Sequence, residues 1–579
     1  MHWAITATPD RGQYRPAEPV QLQVLVTGPA GGQSVLRVQV SERAQGVDAL
    51  ERPISLGDSG LWEGVVTVPL PTGGPVWRAF GLDLTLWPPG EAHPGEDAGG
   101  ASRPMAEHST SCDVAPHWQV APRYGVLTDF APQGEEDDRR RLDALLALHV
   151  NCVQFYDWMY THHTYLPPTE IFTDPLGRSL DFGRVRRRVQ ACRELGMAPI
   201  AYASVYGAEN PFATEHSDWL LYDGDGQPMS LGGIFFIQDP SPQSGWRRHL
   251  MSQYQAALDL GFLGLHCDTY GSPKAGLAWR GSGSKERVDL REVFPGLMAE
   301  ADALTRAHHD EGGAIFNCVG VWPLEVMASA PAAALYVEVW PPMVTYRDLY
   351  EIVQRARRVA PEKQVVLAAY LSPFHRDRER PAGALTGLRL AAATIFASGG
   401  YHLLPAEGDG ALADAYYPLY GQLDAAEWDV LRRYWDFQTR YGPLLADPLA
   451  LDITTTHLGN FGREVHVSGA PCSALADGGR LWTLGREGQD YTVLHFINLT
   501  SATDPTWNTA QSDPRPTEPL TVDLEVLDEP RAVWAASPDV SSPAAMPLPY
   551  TLLHRSGVGL VLRVEVPPVR VWSMLVVER

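Results

Sequence analysis

Eight short apolar runs, each separated from the next by a longer stretch of different rhythm, fill residues 123 to about 440. They are YGVLTDF (124–130), NCVQFYDW (151–158), APIAYASVYG (198–207), FLGLHCDTYG (262–271), AIFNCVG (314–320), LYVEVW (335–340), QVVLAAY (364–370) and TIFASGGYHLL (394–404). The stretches between them, such as EEDDRRRLDALLALHV and FGRVRRRVQACRELG, bring apolar residues back every three or four positions, and Gly196 supplies a helix stop. Buried strands that alternate with amphipathic helices pair in parallel, because each helix carries the chain back across the sheet. Eight repeats over this length predict a central (β/α)8 TIM barrel. An open doubly wound sheet fits less well: the first strand–helix turn lacks the glycine fingerprint of a nucleotide site.

The flanks read differently. Before residue 113, VQLQVLVTG, SVLRVQVSE and WEGVVTVPL alternate with period two between Gly, Pro and Asp turns, the pattern of an immunoglobulin-like β-sandwich. Residues 88–110, rich in Pro, Gly and Ala, are expected to be a mobile loop before the last strand of that sandwich. Beyond 447, YTVLHFINL, LTVDLEVLD, GVGLVLRVEVPP and VWSMLVVE predict a C-terminal Greek-key β-sandwich. The expected organisation is a sandwich at 1–113, a linker at 114–122, the barrel at 123–446 and a second sandwich at 447–579.

A net charge of −23, spread without a basic stripe, weighs against nucleic acid and anionic membrane as partners. No apolar run approaches the roughly 20 residues of a membrane span. The opening MHWAITATPDRGQYRP has no signal-peptide pattern, so the chain as it stands is expected in the cytoplasm, or outside the cell if a leader has been removed. Six widely spaced cysteines, at 112, 152, 192, 267, 318 and 472, offer neither a disulfide framework nor zinc-ligand spacing. No cofactor or catalytic metal is implied, and the oligomeric state is open.

In a barrel of this kind the chemistry sits where the strands end. The runs end on Asp129; on Tyr156, Asp157 and Trp158, with His162 and His163 close behind; on Tyr206; on His266, Asp268 and Tyr270; on Asn317; on Glu338 and Trp340; on Tyr370; and on Tyr401 and His402, with Glu407 beyond. Each has a plainer explanation taken alone. Asp268 caps turns as readily as it does chemistry, paired histidines are common on surface loops, and rim aromatics are often core. Glu338 is harder to dismiss, because a carboxylate inside LYVEVW needs a buried partner. Two strand-end acids among Trp and Tyr are the parts of a glycosidase: one carboxylate attacks the anomeric carbon and the other protonates the leaving oxygen. Aromatic faces then carry the sugar rings, and Asp, His and Asn bond their hydroxyls.

RYGVLTDF, NCVQFYDWMYTHH, AYASVYGA, GFLGLHCDTYG, LYVEVW and SGGYHLLPAEG resemble, in order, the barrel motifs of glycoside hydrolase family 66, the dextranases and cycloisomaltooligosaccharide glucanotransferases. The resemblance covers most of residues 120–420. It implies a retaining mechanism on an α-1,6-glucan, with Asp268 as nucleophile and Glu338 as acid/base. It also implies glucose subsites lined by Asp157, Trp158, His163, Tyr206, His266 and His402, and a further strand-end acid at Asp239. No carbohydrate-binding module is inserted in the barrel region, which favours hydrolysis of dextran or isomaltooligosaccharides over cyclising transfer. The alternatives are a transglycosylase and a non-catalytic carbohydrate-binding barrel.

Overall fold

The computed structural model describes residues 2–90, 103–280, 283–458, 464–502 and 504–579. Near the N-terminus, period two is visible in burial: Val20, Leu22, Val24 and Val26 are buried while Leu25 faces solvent. Strands Ala4–Pro9, Val20–Thr27 and Leu61–Val68 form one antiparallel sheet. Gln45–Ser55, Gln33–Glu42, Arg78–Trp87 and Ala106–Val114 form another, and the two inner faces share a core that includes Val24, Val38 and Leu82. The expected loop at 88–110 lies largely outside the described residues, and its last five residues are strand. There Ala106 pairs with Leu86, so the long partner strand extends the ladder earlier than composition suggested.

The central region contains β1 (Tyr124–Leu127), α1 (Glu135–Ala147), β2 (Cys152–Phe155), α2 (Phe182–Glu194), β3 (Ala198–Ser204), α3 (Gly245–Asp259), β4 (Gly264–Asp268), α4 (Leu290–His308) and β5 (Gly313–Val319). It continues with α5 (Leu324–Ala328), β6 (Leu335–Glu338), α6 (Tyr346–Val359), β7 (Val365–Ala368), α7 (Ala384–Ser398), β8 (Tyr401–His402) and α8 (Ala425–Arg440). Each strand from β1 to β8 pairs in parallel with the next. The ring is completed by Pro405–Ala406, just after β8, where Ala406 pairs with Val126 of β1. A sheet whose two ends are consecutive pieces of chain must curl until they meet.

One expected strand is wrong in most of its length. In the run at 394–404, residues 394–398 finish α7, and Gly399, with φ +94°, ends the helix in the left-handed region. The helix is buried nearly all round, and Phe396 faces Trp572 of the C-terminal sheets. Such a helix has no polar stripe and reads in sequence as a strand. Beyond it, Leu481–Glu487, Tyr491–Asn498, Trp572–Glu578 and Ala532–Ala536 lie in one sheet, and Val465–Ser468, Leu520–Val526, Gly559–Val566 and Tyr550–Arg555 in a second. Leu494, Phe496, Val522 and Leu562 share their core.

Candidate active site

Alternation along the closed sheet decides which side chains reach its mouth. Leu265 and Cys267 pack outward in the core shared with the helices. His266 points inward, edge-on to Tyr336 at 4.6 Å, and Asp268 follows two residues later. The same phase carries Ile200 and Tyr202 on β3, Ile315 and Asn317 on β5, Tyr336 and Glu338 on β6, and Val366, Ala368 and Tyr370 on and after β7. Gly264 allows the close approach of β5 to β4, since a Cβ there would stand 2.6 Å from the Gly313 carbonyl oxygen.

These inward residues form one hydrogen-bonded unit. The Asn317 Nδ2 donates to Asp268 Oδ1 at 2.8 Å and to Glu338 Oε2 at 3.1 Å. The two acceptor oxygens are therefore no more than about 6 Å apart, the sum of those bonds. Tyr202 donates its hydroxyl to Asp268 Oδ2 at 2.8 Å, and Tyr370 donates to Glu338 Oε1 at 2.9 Å. Each carboxylate oxygen thus has a donor. Burial, then the charge of Glu338, pushes the Asp268 carboxyl up to about 7 against the lowering bonds from Asn317 and Tyr202. Burial also raises Glu338, opposed by the bonds from Tyr370 and Asn317. Two such acids titrate as a pair, and between their two steps they hold one proton.

The unit opens into a cleft of about 560 Å³. Asp157, His162, His266, Tyr270, Asn317, Trp340 and Tyr370, all expected from sequence, line it together with Asp268 and Glu338. His162 bonds Tyr270 at 2.9 Å and lies 3.4 Å from Asp157, and its ring stacks on Phe235. Burial pulls its pKa down, but Asp157, Glu209 and Asp268 outweigh that and hold it above the ordinary value. His266 is pushed down to about 3 by burial and stays neutral.

Six expected site residues lie elsewhere. Trp158 is buried against Phe262 and donates to the Tyr202 carbonyl. His163 bonds Glu209 and stacks on Phe212. Tyr206 accepts from the Tyr270 amide and so supports a lining residue without lining the cleft. Asp239 is taken up by Ser241 and Arg280, and His402 by the Ala369 carbonyl. Glu407, fully buried, accepts from the amides of Thr128 and Asp129 and pairs with Arg188, where the ring of strands closes. Sequence reasoning missed Tyr202, Phe235, Tyr416 and Tyr417, which also line the cleft. Tyr202 was within reach, because counting back in twos along β3 and across the register pairs it with His266. Among the described residues, no cluster of His, Cys, Asp and Glu is arranged to hold a metal ion, and no helix is long and apolar enough to cross a membrane.

Paired acids on one amide, at the floor of an aromatic cleft, are the equipment of a glycoside-active enzyme. The chain belongs to glycosyl hydrolase family 66, whose model matches residues 96–576. Two cycloisomaltooligosaccharide glucanotransferases of Niallia circulans are similar to it. One is 22% identical over 82% of this chain, the other 23% identical over 46%. The chain spans 64% and 29% of their respective lengths in these matches. A crystal structure of a Paenibacillus sp. cycloisomaltooligosaccharide glucanotransferase complexed with cycloisomaltoheptaose shares the fold. Its TM-score is 0.85 at 19% identity, over 98% of this chain and 99% of that one.

Proposed function

We propose that this chain cleaves α-1,6-glucosidic links of dextran or isomaltooligosaccharides by double displacement, with retention at the anomeric carbon. The observation that carries the reading is the one Asn317 nitrogen bonded to both acids. A gap of at most about 6 Å falls below the roughly 6.5–9.5 Å of inverting pairs, which must admit a water, and agrees with the roughly 5–5.5 Å of retaining ones. Asp268 attacks the anomeric carbon while Glu338 gives its proton to the departing glycosidic oxygen. One C–O bond forms as the other breaks. The ionised Glu338 then takes the proton of an incoming hydroxyl, whose oxygen displaces Asp268. Asp157, His162 and His266 are the proposed partners of the sugar hydroxyls, and Trp340 a platform for a ring.

Family membership and the relatives' names support an α-1,6-linked glucan as substrate. Water is the incoming hydroxyl in the first reading. The glucanotransferase names of both relatives favour, as a second, a sugar hydroxyl. We read the closed sheet as a (β/α)8 barrel at 123–446 between β-sandwiches at 1–113 and 447–579. The eight strand–helix pairs and the two shared sandwich cores support that division. The test is chromatography and mass analysis of products from dextran, isomaltooligosaccharides, starch and pullulan. Linear isomaltooligosaccharides from dextran alone are expected. Rings or longer chains would move the assignment to transfer, and binding without any product would leave a sugar-binding barrel.

A further inference from the structure

A second cleft, of about 420 Å³, opens beside the first and shares Trp340, Tyr370 and Ala415 with it. One side is the turn after β6, with Val344. The other is Trp507, Asn508 and Thr509, from the connection between the C-terminal strands Tyr491–Asn498 and Leu520–Val526. That connection is fastened to the central region. Trp507 is buried and its Nε1 donates to the Met343 carbonyl at 3.0 Å; Asn508 Oδ1 accepts from the Ser372 amide at 2.7 Å. Gln511 Nε2 ties the loop to itself through the carbonyls of Asp504 and Thr506. The groups facing the space are more exposed. Trp340 is 40% exposed, and the exposed Arg378 guanidinium makes no hydrogen bond or ion pair among the described residues.

The bonds around the two acids give the clefts an order. Asp268 is held by Tyr202, on the side of Asp157 and His162, whereas Glu338 is held by Tyr370, which also lines the second cleft. The glycosidic oxygen that Glu338 protonates, as its bond to the anomeric carbon breaks and Asp268 bonds that carbon, therefore departs toward Trp340. We infer that the second cleft holds the glucosyl units on the leaving-group side and then the sugar acceptor, and that the C-terminal loop at 506–509 is part of this acceptor site. The inference rests on the double displacement proposed above. In the transfer step the acceptor hydroxyl forms a bond to the anomeric carbon, the bond to Asp268 breaks, and the proton goes to Glu338. A neutral glucosyl ring suits the cleft, with the Trp340 face for its apolar side and Arg378 for its hydroxyls. While occupied, the cleft keeps water from the glycosyl-enzyme, so its filling sets the ratio of transfer to hydrolysis.

The test blocks the cleft from either wall with Val344→Trp or Thr509→Trp, both at exposed positions. The donor is α-isomaltosyl fluoride, whose leaving group needs neither the cleft nor a proton, and the acceptor is isomaltotriose. Fluoride release without acceptor should stay within about twofold of the unsubstituted chain, while transfer product falls at least tenfold in both variants. Unchanged transfer in both, or a parallel loss of fluoride release in both, would overturn the inference and leave the glycosidase reading in place. If the unsubstituted chain releases no fluoride, the glycosidase reading falls, and this inference with it.

Discussion

Asn317 has two hydrogens on one nitrogen and gives one to each acid, so it stabilises the ionised form of both. Replacing it with Ala removes a lowering influence from each carboxyl. Activity in kcat/KM should decline on the alkaline side in the unsubstituted protein, as the pair loses its last proton, and in Asn317→Ala that decline should move to higher pH. The rate itself should fall by about 10²-fold, the order of one lost positioning interaction. A pH–rate profile with an unshifted alkaline limb would remove Asn317 from this role. Asp268 makes a second prediction at the same scale. Its folded pKa is raised above the unfolded one, so its effect on stability is most favourable below about pH 4 and is lost as pH rises through about 7. Asp268→Asn should therefore melt at a higher temperature than the parent at pH 8, by an amount equivalent to about 1–3 kcal/mol, and converge with it near pH 4. A lower melting temperature at pH 8 would count against a strained, buried acid.

At the scale of elements, the strands and their order were legible and the phase beyond their ends was not. Asp268, Asn317, Glu338 and Tyr370 could be found because period two continues to the last paired residue or just past it. Trp158 lies outside the cleft because β2 ends at Phe155 and Asp157 takes φ +47°, which turns the following side chain out of phase and into the core. His402 is turned away from the cleft by register. Tyr401 pairs with Val366, which points inward, so the next residue faces outward toward Trp435. Glu407 reads as a rim acid because its role depends on ring closure, which no local pattern encodes. There it satisfies two amides of the chain after β1 and the charge of Arg188. Glu407→Ala should cost about 2–5 kcal/mol, measured by denaturant unfolding, because it leaves two buried amide donors unpaired and Arg188 with Asp138 as its remaining carboxylate. The rate per folded molecule should hold within about threefold; a large loss of rate with little loss of stability would return Glu407 to the site.

Across the whole molecule, the segment read as a linker lies within a joint. Arg123, at the start of the closed sheet, and Asp113, at the end of the N-terminal sheets, are both buried and bonded twice, at 2.7 and 2.9 Å. The same guanidinium donates to the carbonyls of His149 and Gly12, and Trp118, between the two, donates to the Glu311 carbonyl. Composition could not reveal this, since an Arg and an Asp ten residues apart look like ordinary surface charges until the fold removes water from both. A pair desolvated on both sides adds little over apolar packing, but breaking it strands a charge at a cost of about 3–5 kcal/mol. The parent should melt in one cooperative transition by calorimetry, because the joint couples the N-terminal sheets to the closed sheet. In Asp113→Ala the stranded Arg123 weakens that coupling, and an earlier transition for the N-terminal sheets should separate from the main one. A single transition at the parent's temperature would mean that the joint is held by apolar packing alone, with the ion pair only fixing its geometry.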